Sequence, residues 1–351
     1  MRYRRQAIIA GILVPAIVLA ALPATAAAAT TPTVHELATP TGYVSAVAAA
    51  VNNLGIAVGY ATDAAFGTIA VKWNHSGSVT SLGTLPGDDF SAALGINDRG
   101  QIAGYSGNNA AGTDHAVEWN AQGAITDLGA SPGRFTDSEA HAINDRGEVV
   151  GSDQTAPRII TATRWSANGT IDNFGLADID TVGDTTVSAV NDRGEMAGYQ
   201  FVIHGRPSPI RWNADASYLQ LPVLPDARGG GGQANGINNL GITVGLSPTS
   251  AFHVFDAVSW DTKGDITDLG GLPGGVGSSA NGINDPGVTV GSAGDANAVD
   301  HATTWSRTGS ISALPDVSGG SNGEALAISD SGFIVGDDID ANGNQVAVLW
   351  R

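Results

Sequence analysis

The sequence predicts an all-β protein, namely a seven-bladed β-propeller whose blades are four-stranded sheets. Three observations lead to this prediction. A nine-residue phrase, such as "INDRGQIAG" at 96–104, occurs seven times with a period of 45 to 47 residues. All seven tryptophans of the chain fall in one register of that period. Hydrophobic residues alternate within the repeats, which is typical of half-buried strands.

The first 29 residues are typical of a leader. Arg2, Arg4 and Arg5 precede the apolar run 7–22, and small residues follow it. This order predicts a secretory signal peptide at 1–29, followed by a single seven-repeat domain at 30–351. Sec is the expected export route, and the adjacent Arg4 and Arg5 leave the twin-arginine route as the alternative. We therefore expect an extracellular protein, with no membrane span in the mature chain.

The first element of the mature chain is a short strand, "TVHEL" at 33–37. It matches the pattern of "AITDL" at 124–128 and lies at the same distance from the next turn asparagine. The last repeat stops at Trp350 and Arg351, where a fourth strand should follow. We therefore expect the N-terminal strand to pair with the C-terminal blade and close the ring, because closure hides sheet edges from other chains.

Each repeat then supplies four strands joined by two hairpins. In the second repeat the strands are "SAALGI" (91–96), "QIAGYS" (101–106), "AVEW" (116–119) and "AITDL" (124–128). Seven residues separate the turn asparagine from the closing glycine in every copy, with Ser329 replacing that asparagine in the last. Paired strands require such fixed spacing, since one inserted residue would move all later side chains to the opposite face. An open β-solenoid is the alternative, although solenoid coils are usually shorter than this period.

The turn between the first two strands places Asn97 first and Gly100 fourth, where the backbone needs a positive φ. The equivalent glycines are expected to be structural: Gly55, Gly100, Gly147, Gly194, Gly241, Gly287 and Gly332. A second hairpin follows each tryptophan. Ala216 replaces its glycine in the fourth copy, and Pro286 occupies a position that a type I turn disfavours in the first hairpin of the sixth. We therefore expect these two turns to be distorted.

The tryptophans recur at the end of the third strand of every repeat. They are Trp73, Trp119, Trp165, Trp212, Trp260, Trp305 and Trp350. An exposed indole could stack on a sugar ring. The regular recurrence instead favours a structural role, in which each side chain fills the space between blades and buries about 150–250 Å².

Several stretches resemble the HAF repeats of extracellular bacterial proteins. They are "HAVEWNAQGAITDLG" at 115–129, "HATTWSRTGSISALP" at 301–315, "DLGGLPGG" at 268–275 and "GINDRGQIAG" at 95–104. The similarity covers nearly the whole mature chain, and His115 and His301 begin the two copies that keep two letters of the His-Ala-Phe triplet. The resemblance implies secretion and a repeat architecture, and it supplies no active site.

The two constant turns of each repeat should share one face of the ring, which we term the turn face. The variable loops should share the opposite face, the loop face, and such loops usually carry function. The loop-face candidates for ligand binding are Asp88, Asp89, Asp137, Glu139, Asp178, Asp180, Asp184, Asp295 and Asp300. Clustered carboxylates could bind calcium, accept hydrogen bonds from a glycan or supply an acid and a base. Solvated loops that keep the protein soluble would look the same.

One local pattern is similar to the opening of a calcium loop. In "DIDANGN" at 338–344, Asp338, Asp340 and Asn342 alternate before a glycine. The twelfth position holds Leu349 in place of the glutamate of an EF-hand. A polar turn between strands explains the same residues. No cofactor is therefore predicted, and calcium is kept as a hypothesis for this loop.

Composition and motifs narrow the function classes. No cysteine occurs, so packing without disulfides must hold the exported domain together. The net charge of −18 argues against nucleic acid as a partner, and three of the 16 basic residues lie in the leader. No nucleophile elbow, HExxH motif or phosphate loop occurs, and the seven histidines are scattered over different repeats. No catalytic residue is assigned.

Together these observations predict a secreted, monomeric, non-catalytic scaffold that binds a carbohydrate or a protein at the cell surface through its acidic loop face. One alternative is a secreted polysaccharide hydrolase or lyase that uses loop carboxylates as acid and base. Another is a purely structural envelope protein. The ligand itself cannot be read from the sequence.

Overall fold

A computed structural model describes residues 32–131, 137–156, 159–174, 182–202, 206–228, 231–251 and 253–351. The predicted leader at 1–29 lies outside these residues. Twenty-eight β-strands form seven four-stranded sheets, and the described part of the chain contains no α-helix. In particular, these ranges include no helix long and apolar enough to cross a membrane. The predicted fold class is confirmed: the protein is an all-β, seven-bladed β-propeller.

The strands of the first four blades follow chain order. The first strand, β1, is Val34–Glu36 and belongs to blade 7. Blade 1 comprises β2 (Ser45–Val51), β3 (Ala57–Thr62), β4 (Thr68–Trp73) and β5 (Val79–Ser81). Blade 2 comprises β6 (Phe90–Ile96), β7 (Ile102–Asn108), β8 (Thr113–Trp119) and β9 (Ile125–Asp127). Blade 3 comprises β10 (Ser138–Ile143), β11 (Val149–Ala156), β12 (Ile159–Trp165) and β13 (Ile171–Asn173). Blade 4 comprises β14 (Val182–Val190), β15 (Met196–Val202), β16 (Pro207–Trp212) and β17 (Tyr218–Gln220).

The remaining blades repeat this order. Blade 5 comprises β18 (Gln233–Ile237), β19 (Thr243–Pro248), β20 (Phe255–Trp260) and β21 (Ile266–Asp268). Blade 6 comprises β22 (Ser278–Ile283), β23 (Thr289–Gly294), β24 (Asp300–Trp305) and β25 (Ile311–Ala313). Blade 7 comprises β26 (Ser321–Ile328), β27 (Ile334–Ile339), β28 (Gln345–Trp350) and β1. The first strands of neighbouring blades contact one another around the axis, so each blade runs from the axis outward in chain order.

The N-terminal strand closes the ring as predicted. β1 pairs antiparallel with β28, with Val34 opposite Trp350 and Glu36 opposite Val348. The pairing extends beyond the strand, because the backbone N–H of Thr33 donates to the carbonyl of Arg351 at 2.8 Å. The last blade therefore has a full outer strand, although that strand comes from the opposite end of the domain.

The closing glycine of each repeated phrase faces a β-bulge in the first strand of its blade. In blade 2 the pairing shifts between Ala93 and Gly95, and Gly104 lies opposite. A Cβ atom at Gly104 would overlap the backbone carbonyl oxygen of Ala92. The same overlap recurs in every blade at the equivalent glycines, which are Gly59, Gly104, Gly151, Gly198, Gly245, Gly291 and Gly336. Glycine is needed there because two backbones approach closely.

The two turns expected to be distorted keep the backbone hydrogen bond that closes the other turns, so that prediction is wrong. Ala216 adopts a φ of 68°, and its N–H donates to the Asn213 carbonyl at 3.0 Å. The turn at Pro286 closes with a 3.0 Å bond from the Gly287 N–H to the Asn284 carbonyl. Alanine tolerates the left-handed region at a cost in free energy. Proline removes only an N–H that in most other repeats donates to the asparagine side chain, as Arg99 does.

All seven tryptophan side chains are buried between blades. Among the described residues, six of these indole Nε1–H groups donate to a backbone carbonyl in the connection from the preceding blade, at 2.8–3.1 Å. Trp119, for example, donates to the carbonyl of Leu82 at 3.0 Å. Each of these indoles therefore buries apolar surface and also holds the connection that leads from the preceding blade into its own blade.

A ring of hydrogen bonds joins the blades on the turn face. The side-chain Nδ2 of the turn asparagine donates to the backbone carbonyl of its counterpart in the next blade at 2.9–3.1 Å. The donors are Asn52, Asn97, Asn144, Asn191, Asn238 and Asn284. The joint between blades 7 and 1 differs, because Ser331 donates its N–H and its hydroxyl to Asn53, each at 2.9 Å.

A second ring surrounds the axis beside the first. The residue after each turn asparagine accepts the N–H of its counterpart in the preceding blade at 2.7–2.8 Å. The acceptors are Asp98, Asp145, Asp192, Asn239, Asp285 and Asp330, and they line an axial cavity of about 210 Å³. Burial raises the pKa of Asp145, and the neighbouring carboxylates of Asp98 and Asp192 raise it further, while the hydrogen bond from the Asp98 N–H lowers it. These acids are used to join blades.

Candidate functional site on the loop face

A pocket of about 540 Å³ opens on the loop face between blades 2, 3 and 4. The lining side chains are mostly carboxylates, hydroxyls and amides. They are Asp114, Asp137, Ser138, Glu139, His141, Ser152, Asp153, Gln154, Ile160, Asp184, Thr186 and Tyr199. We refer to it as the acidic pocket. It lies on the face where the sequence predicts ligand binding.

Strand register brings these residues together. Ser138 and Thr185 occupy the same position in blades 3 and 4, since each hydroxyl accepts a backbone N–H from the preceding blade. Asp137 and Asp184 each precede that position, so two carboxylates repeat at the mouth of the ring. Glu139 follows it in blade 3 and pairs with Ser152. The acidic pocket therefore results from equivalent positions in adjacent blades.

Asp153 is the most buried acid of the pocket, with an exposed fraction of 1%. Its Oδ2 accepts the backbone N–H of Ser131 at 2.8 Å. Its Oδ1 is buried and has no hydrogen-bond partner among the described residues. An unpaired buried carboxylate oxygen costs roughly 1–3 kcal/mol or more, because the water it loses is not replaced.

Other blades show that this position does not need a carboxylate. Ser106 accepts the equivalent loop N–H from Leu85 at 2.9 Å, and Ser247 accepts the one from Leu224 at 2.9 Å. A serine hydroxyl is thus sufficient to hold the inter-blade connection. The second oxygen of Asp153 is surplus to the fold.

His141 has a defined orientation in the pocket. Its Nδ1 lies 2.8 Å from the backbone carbonyl of Val187 in the next blade. A carbonyl can only accept, so Nδ1 carries a proton. Its Nε2 lies 3.4 Å from the Glu139 carboxylate. A neutral ring therefore has no hydrogen on Nε2, and it can donate to Glu139 only as the doubly protonated imidazolium, which gives the pocket one group that can carry a positive charge.

Carboxylates dominate the electrostatics of the pocket. Burial raises the pKa of Asp114 first, and the carboxylates of Glu139 and Asp137 raise it further, while His115 lowers it. Burial and then Glu139 raise the pKa of Tyr105 to about 12. Like charges held at low dielectric favour protonation of one member and attract a cation.

The structure separates the predicted loop-face acids into three groups. Asp137, Glu139 and Asp184 line the acidic pocket. The other described ones lie elsewhere and bond to the protein or line a different pocket. Asp88 accepts a hydrogen bond from the Ser106 hydroxyl at 2.7 Å and lies 3.3 Å from His115. Asp89 accepts the Asn109 N–H at 3.0 Å, and Asp295 accepts the Asn297 N–H at 2.7 Å. Asp300 lines a smaller pocket near Val276. Asp178 and Asp180 lie outside the described residues.

The residues of the calcium hypothesis bond to the protein itself. Asp338 is buried, with Oδ2 accepting the Val317 N–H at 2.7 Å. Asp340 begins a hairpin turn and accepts the N–H groups of Asn342 and Asn344, each at 2.8 Å. Within the described ranges, no three His, Asp or Glu side chains are grouped closely enough to hold a metal ion. Calcium binding at this loop stays an untested hypothesis.

Sequence reasoning missed Asp114, Asp153 and His141 as parts of one site. The first two looked like ordinary strand residues, and the histidine shares its register in the repeat with no other histidine of the chain. One signal was available for Asp153, since it is an acid at a register position that Ser106 and Ser247 occupy in other blades. The spatial meeting of three blades could not be read from a single repeat.

Comparisons with known proteins give similarity in fold only. No family model matches the chain, and no curated protein matches it. A solved structure assigned as TolB from Agrobacterium tumefaciens is 11% identical, with a TM-score of 0.49 over 78% of this chain and 94% of that one. A gluconolactonase from Xanthomonas campestris is 12% identical, with a TM-score of 0.40 over 90% of this chain and 99% of that one. The SapL1 lectin, in complex with alpha methyl fucoside, is 13% identical, with a TM-score of 0.40 over 78% and 97%.

Proposed function

We propose that this protein is a secreted carbohydrate-binding propeller whose acidic pocket receives a saccharide. The observation that carries the proposal is a concave site of about 540 Å³ lined by carboxylates and hydroxyls, with a buried oxygen on Asp153 that has no partner among the described residues. Carboxylate oxygens accept hydrogen bonds from sugar hydroxyls, and such bonds to a charged acceptor are stronger than neutral ones.

The shape of the site favours a saccharide over a protein surface. Protein interfaces bury roughly 800 Å² on each partner over a broad patch. A concave pocket of this volume instead suits one or two small rings. Ile160, with 40% of its surface exposed, and the ring of Tyr199 add apolar area beside the polar groups. Sugars present both kinds of surface.

The extracellular location is part of the proposal. The leader-like segment 1–29 and the resemblance to HAF repeats support it. In this proposal the seven blades act as a rigid, disulfide-free support outside the cell, and the loop face carries the ligand.

A hydrolytic function is the second candidate, and one observation favours it. Burial, followed by the carboxylates of Glu139 and Asp137, raises the pKa of Asp114, so this carboxyl group keeps its proton to a higher pH than an exposed aspartate does. An acid and a base with separated pKa values are what glycoside hydrolysis requires. In this scheme Asp114 protonates the leaving oxygen, and Glu139 activates water.

The test is a saccharide array followed by titration calorimetry on the purified protein. Glu139→Gln should weaken binding by about tenfold or more, because the charged acceptor is lost. Asp300→Asn is the control, since Asp300 occupies in blade 6 the position of Asp114 in blade 2 and lies away from the pocket. Binding without turnover supports the lectin-like function, and release of shorter saccharides supports the hydrolase. If no saccharide is retained, the proposal is wrong.

A further inference from the structure

We infer that the saccharide bound in the acidic pocket carries a free amino group, so that an ammonium ion is the recognised chemical feature. This inference rests on the proposed function and deepens it. Neutral hydroxyl groups can satisfy hydrogen-bond acceptors, but they cannot neutralise charge. The charges of the residues that line the pocket therefore decide which class of ligand it favours.

The charge balance of the lining residues is strongly negative. Five carboxylates line the acidic pocket: Asp114, Asp137, Glu139, Asp153 and Asp184. His141 is the one lining residue, among those described, that can become cationic, and neither lysine nor arginine is among them. A neutral ligand that expels water from these carboxylates would leave them desolvated without a counter-charge, which is costly. An ammonium group supplies that charge.

Asp153 provides the independent observation. The fold uses only its Oδ2, which holds the Ser131 N–H, and leaves Oδ1 buried and unpartnered within the described structure. Ser106 and Ser247 hold the equivalent connection without a charge. The buried Oδ1 destabilises the protein without ligand, and blade packing does not need it. A hydrogen-bond donor on the ligand explains why an acid occupies this position. An ammonium carries three such donors.

The neighbouring acids are available to the same ligand. The only bond to the Asp184 carboxylate is from the backbone N–H of Ile160 to Oδ1 at 2.9 Å, among the contacts of the described residues. The Glu139 side chain is 44% exposed, and within the described part of the chain its one polar side-chain contact is His141 Nε2 at 3.4 Å. Both carboxylates therefore retain free acceptor positions facing the pocket.

The experiment compares glucosamine oligomers with N-acetylglucosamine oligomers of the same length by titration calorimetry. The two ligands share ring and linkage and differ in the charge on nitrogen. We expect the free amine to bind at least about tenfold more tightly, with affinity falling as salt is raised. Equal affinity for both oligomers would overturn the inference and leave the proposed function standing. Binding of neither oligomer would also overturn the inference, and the proposed function would then fail only if the array retained no other saccharide.

Asp153→Ser is the decisive variant. It should reduce affinity for the glucosamine oligomer by about tenfold or more while the melting temperature stays unchanged or rises, because serine keeps the inter-blade bond. The matched control is Asp338→Ser, at the same register in blade 7, which should leave affinity unchanged. Full retention of amine affinity in Asp153→Ser would contradict the assignment.

Uronate oligomers provide the opposite probe, because their rings carry a carboxylate in place of an ammonium group. Tighter binding of uronate oligomers than of glucosamine oligomers would identify an anionic sugar and overturn the inference. A lysine peptide that binds as tightly as the glucosamine oligomer would show that the saccharide ring is not recognised, which also contradicts it.

Discussion

At the scale of single residues, the role of each buried carboxyl group depends on its hydrogen-bond partners. Asp338 uses both oxygens, one with the Val317 N–H at 2.7 Å and one with the Ile339 N–H at 2.8 Å. Asp153 uses one. Asp337 receives a bond from Gln345 at 2.8 Å and pairs across the blade with Glu324. The sequence predicts none of these differences, because all three are acids in the same kind of strand.

Asp337 makes the stability of the protein depend on pH. Burial, together with Glu324 and Asp338, raises its pKa from 3.8 to about 6 against the effect of Gln345. A folded-state pKa above the unfolded value stabilises the protein at low pH, and this stabilisation is lost as pH rises through about 6. We expect Asp337→Asn to raise the melting temperature at about pH 7 by a few degrees, and by less at about pH 4, since the shift corresponds to at most about 3 kcal/mol.

The control for Asp337 has the opposite sign. Hydrogen bonds from Asn344 and Asn342 lower the pKa of the exposed Asp340 carboxylate. Asp340→Asn should therefore lower the melting temperature, and more at about pH 7 than at about pH 3. Thermal unfolding of both variants across this range checks the pair. A parallel response of the two variants to pH would contradict the assignment.

Ala216 offers a second test at this scale. It holds a φ of 68° at a turn position where other repeats have glycine, such as Gly123 with a φ of 87°. Ala216→Gly should stabilise the protein by about 1 kcal/mol, because glycine enters the left-handed region without strain. The reciprocal Gly123→Ala has open space around its Cβ and should destabilise by a similar amount. Chemical unfolding measures both, and equal signs would be inconsistent with the turn geometry.

At the scale of strands and turns, spacing predicts most of the fold. The predicted strands of blade 2 at 91–96, 101–106 and 116–119 overlap the observed Phe90–Ile96, Ile102–Asn108 and Thr113–Trp119. The reason for the closing glycine was not predictable. The spacing of this glycine is explained equally well by a plain hairpin. The glycine is required because the neighbouring strand has a bulge, and a bulge can be located only when the strand pairing is known.

The bulge leads to a sharp prediction for Gly104. Gly104→Ala should destabilise the protein by about 3 kcal/mol, the upper range for overpacking, because the new methyl group overlaps a backbone oxygen that cannot move aside. Gly282→Ala is the matched control within a strand, since its Cβ would meet only contacts at 3.4 Å. Urea unfolding compares them. A small effect at Gly104 would show that the strands can separate locally.

At the scale of the whole molecule, the ring closes by backbone pairing at β1. The side chains of His35 and Glu36 are exposed, while their backbones pair with Leu349 and Val348. Closure was predictable because the missing strand of one end matched the extra strand of the other. The acidic pocket was predictable only in part: the sequence indicates the face and three of its acids, but the meeting of blades 2 to 4 requires the ring geometry.

Removal of residues 33–37 tests closure. The deletion should strongly lower the melting temperature, because the last blade loses its outer strand and exposes an edge. The double substitution His35→Ala/Glu36→Ala should change little, since the pairing uses backbone atoms. Differential scanning calorimetry with light scattering follows both unfolding and edge-driven association. An unchanged transition in the deletion would mean that the ring does not depend on this strand.

The asparagine ring on the turn face also has a direction. Each of the six turn asparagines donates its side-chain N–H to the blade that follows it, and all of them except Asn52 also accept on the backbone carbonyl from the blade before. A duplicated blade inserted between two existing blades would therefore find an asparagine donor on one side and a backbone carbonyl acceptor on the other. This makes the repeat a unit that tandem gene duplication can copy without redesign of its neighbours. The interface between blades 7 and 1 is the exception, because Ser329 and Ser331 replace the asparagine hydrogen bond there. This one interface therefore marks where the series of repeats begins and ends in the ring.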